Sequence, residues 1–191
     1  MALSKEHEAP RRHRLTADDY HRMGEAGILP PSARVELIDG DVIDMGPIGS
    51  RHAGVVRQIA RLIERAVGDA AIVSVQSPIA LDEWSEPQPD IALLEPRADF
   101  YKSAHPMPKD VMVIVEVADS SPPYDRDVKL ALYASHHVSE VWLVDLQHEE
   151  ITRYRNPHPD GYRTTAKLFD LTNLHIAPTD AFVDLSSVFA R

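Results

Sequence analysis

The stretch Val111-Met112-Val113-Ile114-Val115-Glu116-Val117 carries apolar side chains at every position except Glu116. A strand with one wet face alternates polar and apolar residues, so an unbroken apolar run rich in β-branched side chains predicts a central strand covered on both faces. Something must therefore pack on each side of it. Towards the N-terminus, Val55, Val56, Ile59, Leu62, Ile63 and Ala66 recur at helical spacing, which predicts a helix from Ser50 to near Gly68. Towards the C-terminus, a second long helix is expected over about 125–136, after Pro122 and Pro123. Further strands are expected at about 71–76, 90–94, 139–146, 149–155 and 162–168.

The outer segments add local signals. Thr16 and Asp19 have the spacing of a capping box, with Gly27, Pro30 and Pro31 as a stop, which predicts a short helix over about 17–26. Asp39-Gly40 lies between Val35-Glu-Leu-Ile38 and Asp41-Val-Ile-Asp-Met45, a two-residue hairpin signal that places Glu36 inside a strand. The cluster Asn156-Pro-His-Pro-Asp-Gly161 predicts a turn between two later strands. Together these give an α/β or α+β fold, a central mixed sheet flanked by helices. Residues 1–14 are polar and basic and are expected to form a flexible arm, with 15–191 as a single domain.

Composition narrows the chemistry. The chain has 191 residues and no cysteine, which excludes disulfide frameworks, thiolate metal sites and cysteine nucleophiles. A chain of this size buries about 70% of its unfolded surface, enough to fold without such staples. Its apolar runs are far shorter than the roughly 20 residues of a membrane span, and the N-terminus lacks the apolar core of a secretory signal, so a cytoplasmic location is expected. The formal charge is −10. Broad affinity for a nucleic-acid duplex comes largely from Lys and Arg, and any such activity must therefore rest on a local basic surface. Residues 51–65 supply one, with Arg51, Arg57, Arg61 and Arg65 against the single acid Glu64. Arg57, Arg61 and Arg65 lie four apart on one helix face, a pattern that suits either nucleic-acid binding or ordinary surface ion pairing.

Three acids sit in apolar surroundings: Glu36 in Val-Glu-Leu-Ile, Asp90 before Ile-Ala-Leu-Leu, and Glu116. A single acid in a strand ordinarily faces solvent, but burying one costs several kcal/mol unless it is paired or holds a metal. Three together, one in the most apolar strand, point towards hard-oxygen ligands of the kind Mg²⁺ takes beside a phosphate. Asp125 and Lys129 are i,i+4 neighbours on a helix, with Tyr133 one turn further. That spacing fits an exposed ion pair and a lysine held near a phosphate equally well. His52 falls on the inward face of its helix, where a satisfied core histidine is the commoner outcome. Gln76, in a strand before Asp90, could hold a water by its amide.

In order along the chain stand Glu36-Leu-Ile-Asp-Gly40, Met45, His52, Pro89-Asp90-Ile-Ala, Ile114-Val-Glu116-Val, Asp125-x-x-x-Lys129 with Tyr133, and Glu140-Val-Trp142-Leu-Val-Asp145. This series resembles the Uma-two family of restriction endonucleases within the PD-(D/E)xK nuclease superfamily. The resemblance implies a restriction-endonuclease-like core of αβββαβ type in which Asp90 and Glu116 coordinate a divalent cation, Glu36 assists, and a lysine completes the site. The usual motif has lysine two residues after the glutamate, where this chain has Ala118. Lys129, from the following helix, is the matching residue.

The resulting expectation is a Mg²⁺- or Mn²⁺-dependent endonuclease acting on DNA. Asp90, Glu116, Lys129 and Glu36 form its catalytic set, Asp90 and Glu116 hold the metal, and Asp125, His52 and Gln76 support them. Arg57, Arg61 and Arg65 bind nucleic acid, and a homodimer cuts both strands. Mutual repulsion is expected to raise the pKa of at least one of Asp90 and Glu116, countered by Lys129. The alternative is a nuclease-fold protein without efficient hydrolysis that serves as a binding or interaction module, a reading that Ala118 and the charge favour. RNA or a nucleotide is a further substrate class that the residues leave open.

Overall fold

The structure, a computed structural model, describes residues 12–119 and 123–190, with side chains described from 127 onward in the second segment. Its elements in chain order are α1 (Ala17–Glu25), β1 (Val35–Ile38), β2 (Asp41–Asp44), α2 (Ser50–Val67), β3 (Ile72–Val75), β4 (Ile91–Leu94), β5 (Val111–Ala118), α3 (Pro123–Ser135), β6 (Glu140–Asp145), β7 (Glu150–His158), β8 (Gly161–Leu168), β9 (Leu174–His175) and β10 (Phe182–Val183). Strands β3 to β8 form one six-stranded sheet in sequence order, and β1–β2 and β9–β10 are separate two-stranded pairs. Only β5 and β6 run parallel within the large sheet. Parallel neighbours need a long crossover, and α3 supplies it.

The apolar run that sets the fold is β5, next to the middle of the sheet, and from Val113 onward its residues divide by parity. Val113, Val115 and Val117 join Ile91, Leu93, Trp142 and Val144 in a core packed under the buried face of α2. Ile114 joins Ala92, Val141 and Tyr133 in a second core on the α3 side. The period-two pleat assigns Glu116 to the same face as Ile114, towards α3. Trp142 is fully buried. Its truncation to Ala costs about 3–5 kcal/mol in a core of this kind.

Local chemistry explains the ends of the elements. Thr16 caps α1, its hydroxyl accepting from the Asp19 amide at 3.1 Å while the Asp19 carboxylate accepts from the Thr16 amide at 3.1 Å. The β1–β2 turn uses Asp39 at φ 51° and Gly40 at φ 81°. A Cβ on Gly40 would lie 2.6 Å from that of Arg14, so glycine is required by space as well as by φ. Residues 12–14, which the sequence assigned to a flexible arm, rest on this turn. Arg12 pairs with Asp41 at 2.8 Å, and the Arg14 guanidinium bonds Asp39 and lies 4.7 Å from the Trp84 ring centroid. Residues 1–11 of the expected arm lie outside the described residues.

Two local expectations change. Strand β7 runs on through Asn156, Pro157 and His158, leaving the turn to Pro159 and Asp160. The proline is tolerated because β6 begins only at Glu140, opposite Arg155, so the last part of β7 has a free edge where no amide is needed. The β9–β10 pair was not expected, since two-residue strands carry no readable period. Among the described residues, no helix is long and apolar enough to cross a membrane.

Candidate active site

Glu36 lies between Val35 and Leu37 on β1, and all three are buried. A carboxylate at this depth needs charged or hydrogen-bonding partners. Its Oε1 accepts from Lys129 Nζ at 3.0 Å and from the Gln88 amide at 3.0 Å. Gln88 also donates from Nε2 to the Val35 carbonyl at 3.3 Å, tying the segment before β4 to the strand that carries Glu36.

On the α3 side of β5, the Tyr133 hydroxyl donates to Glu116 Oε1 at 2.7 Å, and Lys129 Nζ lies 3.6 Å from the same oxygen. Lys129 and Tyr133 are four residues apart and so share one face of α3. The ammonium thus bridges Glu36 on β1 and Glu116 on β5.

Asp90 immediately precedes β4. Its Oδ2 accepts from the Val117 amide at 2.9 Å and lies 3.0 Å from His52 Nε2, while Gln76 Nε2 donates to Oδ1 at 3.3 Å. His52 is in the first turn of α2, so the packing of that helix on the sheet aims the imidazole at the acid. Among the described residues its buried Nδ1 has no hydrogen-bond partner. Gln76 adopts φ 46°, a left-handed conformation costing a side-chain-bearing residue about 1–2 kcal/mol. Its own amide bonds the Asp90 carbonyl at 3.1 Å, which holds the end of β3 against the acid. The Asp90 amide is 3.5 Å from Glu116 Oε2, a long contact that puts the two acids side by side.

The electrostatics follow from burial. Desolvation is the largest influence on Glu116, and the charges of Asp90 and Glu36 act with it; Lys129 and the Tyr133 hydroxyl oppose them, and the pKa is pushed up to about 7. The expectation that an acid here would be raised against Lys129 agrees in direction, but burial outweighs repulsion as its cause. Burial disfavours charge on Lys129, yet Glu116 and Glu36 hold its pKa above the ordinary lysine value. The His52 pKa is raised, first by its hydrogen bond to Asp90. Burial, then Glu116, drives the Tyr133 hydroxyl well above its usual range.

The fold therefore gathers Glu36, Asp90, Glu116, Lys129, His52 and Gln76 into one cluster. Arg57, Arg61 and Arg65 lie elsewhere, exposed on α2 outside its buried stripe. At 1.5 Å per residue, they begin roughly 7 Å beyond His52 along the helix axis and end roughly 20 Å beyond it. The Asp125 side chain falls outside the described residues; the described acids on Lys129 are Glu36 and Glu116. Tyr133 and Gln88 were given no task by the sequence. The first had a legible signal in its spacing from Lys129, whereas Gln88 sits in an aperiodic segment.

The donor set suits a hard cation. Among the described residues, Asp90 Oδ1 has only the 3.3 Å contact from Gln76, and Glu116 Oε2 only the 3.5 Å contact from the Asp90 amide. Each acid thus keeps one oxygen lightly engaged while the other is anchored. Mg²⁺ takes one or two carboxylates and completes its octahedron with water and phosphate, and carboxylate oxygens are the hard donors it prefers. The described residues contain one trio of ligating side chains within 4.8 Å of one another, and it lies outside this cluster: His21, Glu86 and His105.

Comparison with known proteins agrees with the architecture. A solved structure described as a putative nuclease belonging to DUF820, from Anabaena variabilis ATCC 29413, superposes with a TM-score of 0.70, covering 92% of this chain and 98% of its own at 15% identity. At that identity the likeness shows the fold. No curated protein matches the sequence. The model of the Uma2 family, described as "Putative restriction endonuclease", matches residues 17–184. A match over that span takes in both the sheet and the acid cluster, and the chain belongs to the Uma2 family.

Proposed function

We propose that this chain hydrolyses phosphodiester bonds in DNA with a divalent cation, Mg²⁺ or Mn²⁺, held by Asp90 and Glu116. The observation that carries the reading is the position of Lys129, a largely buried ammonium 3.0 Å from Glu36 and 3.6 Å from Glu116. When bound, the cation supplies Lewis-acid activation of the phosphate and of the attacking water. Lys129 stabilises charge developing on the phosphate oxygens, and its raised pKa keeps it cationic throughout. Glu36 acts through Lys129 by fixing the ammonium, which makes it a positioning residue. Tyr133 fixes Glu116 through Oε1; His52 and the Val117 amide fix Asp90 through Oδ2. Each metal-facing oxygen is thereby oriented by a partner on the opposite oxygen, in the manner of outer-shell support at metal sites. The exposed arginines of α2 offer the basic surface for the phosphate backbone. One cluster cuts one strand, and a homodimer supplies the second.

The test is nicking of supercoiled plasmid with Mg²⁺ or Mn²⁺. Lys129→Met should lower the rate by about 10²-fold or more with cation binding kept, whereas Glu116→Gln should lower binding and rate together. Wild-type protein that binds Mn²⁺ yet nicks nothing would favour a binding module instead.

A further inference from the structure

The geometry points to a second cation site, separate from the acid cluster, at which His21, Glu86 and His105 bind a divalent transition metal of the Zn²⁺ class. The three ligands come from α1, from the segment before β4, and from the loop before β5. Their ligating atoms all lie within 4.8 Å of one another, with His21 Nε2 2.9 Å from Glu86 Oε1. Bonds of about 2.0–2.1 Å put the ligand atoms of a tetrahedral zinc site roughly 3.4 Å apart, so small rotations close the set. The two imidazoles stand with centroids 6.3 Å apart and planes 59° apart, converging on the carboxylate without stacking.

Burial supplies a second, independent argument. The Glu86 side chain is only 4% exposed, and among the described residues its one ion-pair partner is the imidazole of His21. An acid this deep calls for stronger compensation, which a dication provides. The backbone holds Glu86 rigidly, its amide donating to the Leu37 carbonyl at 2.8 Å. His21 is 46% exposed and His105 is at the surface, leaving a path for the ion and a fourth position for water. Two imidazoles and one carboxylate select zinc-like ions over Mg²⁺, which prefers oxygen alone. The two sites therefore take different metals. Because Glu86 bonds the residue next to Glu36, occupancy would stiffen the strand that anchors Lys129.

The experiment titrates the full chain with Co²⁺, followed by its visible absorption, and with Zn²⁺ by calorimetry, both in millimolar Mg²⁺. Wild type should bind one Co²⁺ with visible bands that Zn²⁺ abolishes. His21→Ala and His105→Ala should each weaken Zn²⁺ binding 10-fold or more, while Glu116→Gln stays within 2-fold of wild type. Zinc at 100 times its wild-type Kd should raise Tm of wild type by about 5 °C or more and that of His105→Ala by about half as much or less. His105 is in an exposed loop, so that variant should fold, as circular dichroism would verify. No Co²⁺ bands in wild type, or equal Zn²⁺ affinity in His105→Ala, would overturn the site; loss of zinc binding in Glu116→Gln alone would place the ion in the acid cluster.

Discussion

Lys129 and Glu36 are 93 residues apart in sequence, yet the Nζ of one lies 3.0 Å from the Oε1 of the other, and both side chains are largely withdrawn from solvent. The contact links the β1–β2 hairpin, which is not part of the large sheet, to the crossover helix of its parallel pair. It has a structural consequence as well as a chemical one, because a buried ion pair broken from one side leaves an uncompensated charge.

Glu36→Gln should therefore destabilise the fold by about 3 kcal/mol, since it withdraws one of the two described acids from a buried lysine. Urea denaturation measures this directly. The double variant Glu36→Gln/Lys129→Met should cost less than the sum of the singles. Strict additivity would mean that the contact contributes nothing as a pair.

Much of this cluster could be read from the chain, and the reasons differ by residue. Glu116 stood out because a charge interrupts an apolar strand, but with both faces of that strand covered, its direction became visible only in the packing of α3. Lys129 was singled out by the family resemblance, since its helical spacing from Asp125 fitted an exposed ion pair equally well. Its partner could not be read, because the sequence suggested Asp125, a local i,i+4 neighbour, whereas the described partners arrive from β1 and β5. Long-range pairings of this kind leave no local signal. The same holds for Gln88 and the Val117 amide, which are aligned by irregular backbone and by strand register. The His21, Glu86 and His105 trio, drawn from three segments, was equally silent.

The pH dependence follows from Glu116, whose pKa is pushed up to about 7 from an ordinary value of 4.5. A carboxyl raised on folding contributes stability below its unfolded pKa and loses it as pH rises through the folded one. Metal-free protein should thus become less stable between about pH 4.5 and 7. His52, also raised, acts in the same direction at somewhat higher pH. Glu116→Gln should flatten the lower part of that slope and leave the contribution of His52. Denaturation at pH 5 and pH 8 decides it; a wild-type slope retained in the variant would remove Glu116 as the cause.

Cation binding should respond in the opposite sense. A dication displaces the proton from Glu116, so affinity for Mn²⁺ should rise with pH up to about 7, with proton release below it. Tyr133→Phe removes the 2.7 Å hydrogen bond that favours the ionised acid. The midpoint of Mn²⁺ binding should then move to higher pH, at a stability cost of about 1.5–3 kcal/mol measured above that midpoint. Calorimetry in buffers of different ionisation enthalpy counts the protons. An unmoved midpoint would show that Tyr133 packs without tuning the acid.

The arginine stripe addresses how a chain of charge −10 could hold a polyanion. Arg57, Arg61 and Arg65 are exposed, and among the described residues none has an ion-pair partner. Their charges are thus available to phosphates spaced along a duplex. Each phosphate neutralised releases condensed counterions and adds about 0.9 to the slope of log K against log salt. Replacing all three by Gln should reduce that slope by up to about 2.7 and weaken binding most at low salt, with equal effect on unrelated DNA sequences. Because the three side chains are exposed, Tm should change little. Fluorescence anisotropy on a short duplex between 50 and 200 mM salt reads the slope, with Glu116→Gln as a control that leaves the stripe intact. If the triple variant keeps the wild-type slope, the backbone contacts lie on another face of the protein and the stripe is an ordinary solvated surface.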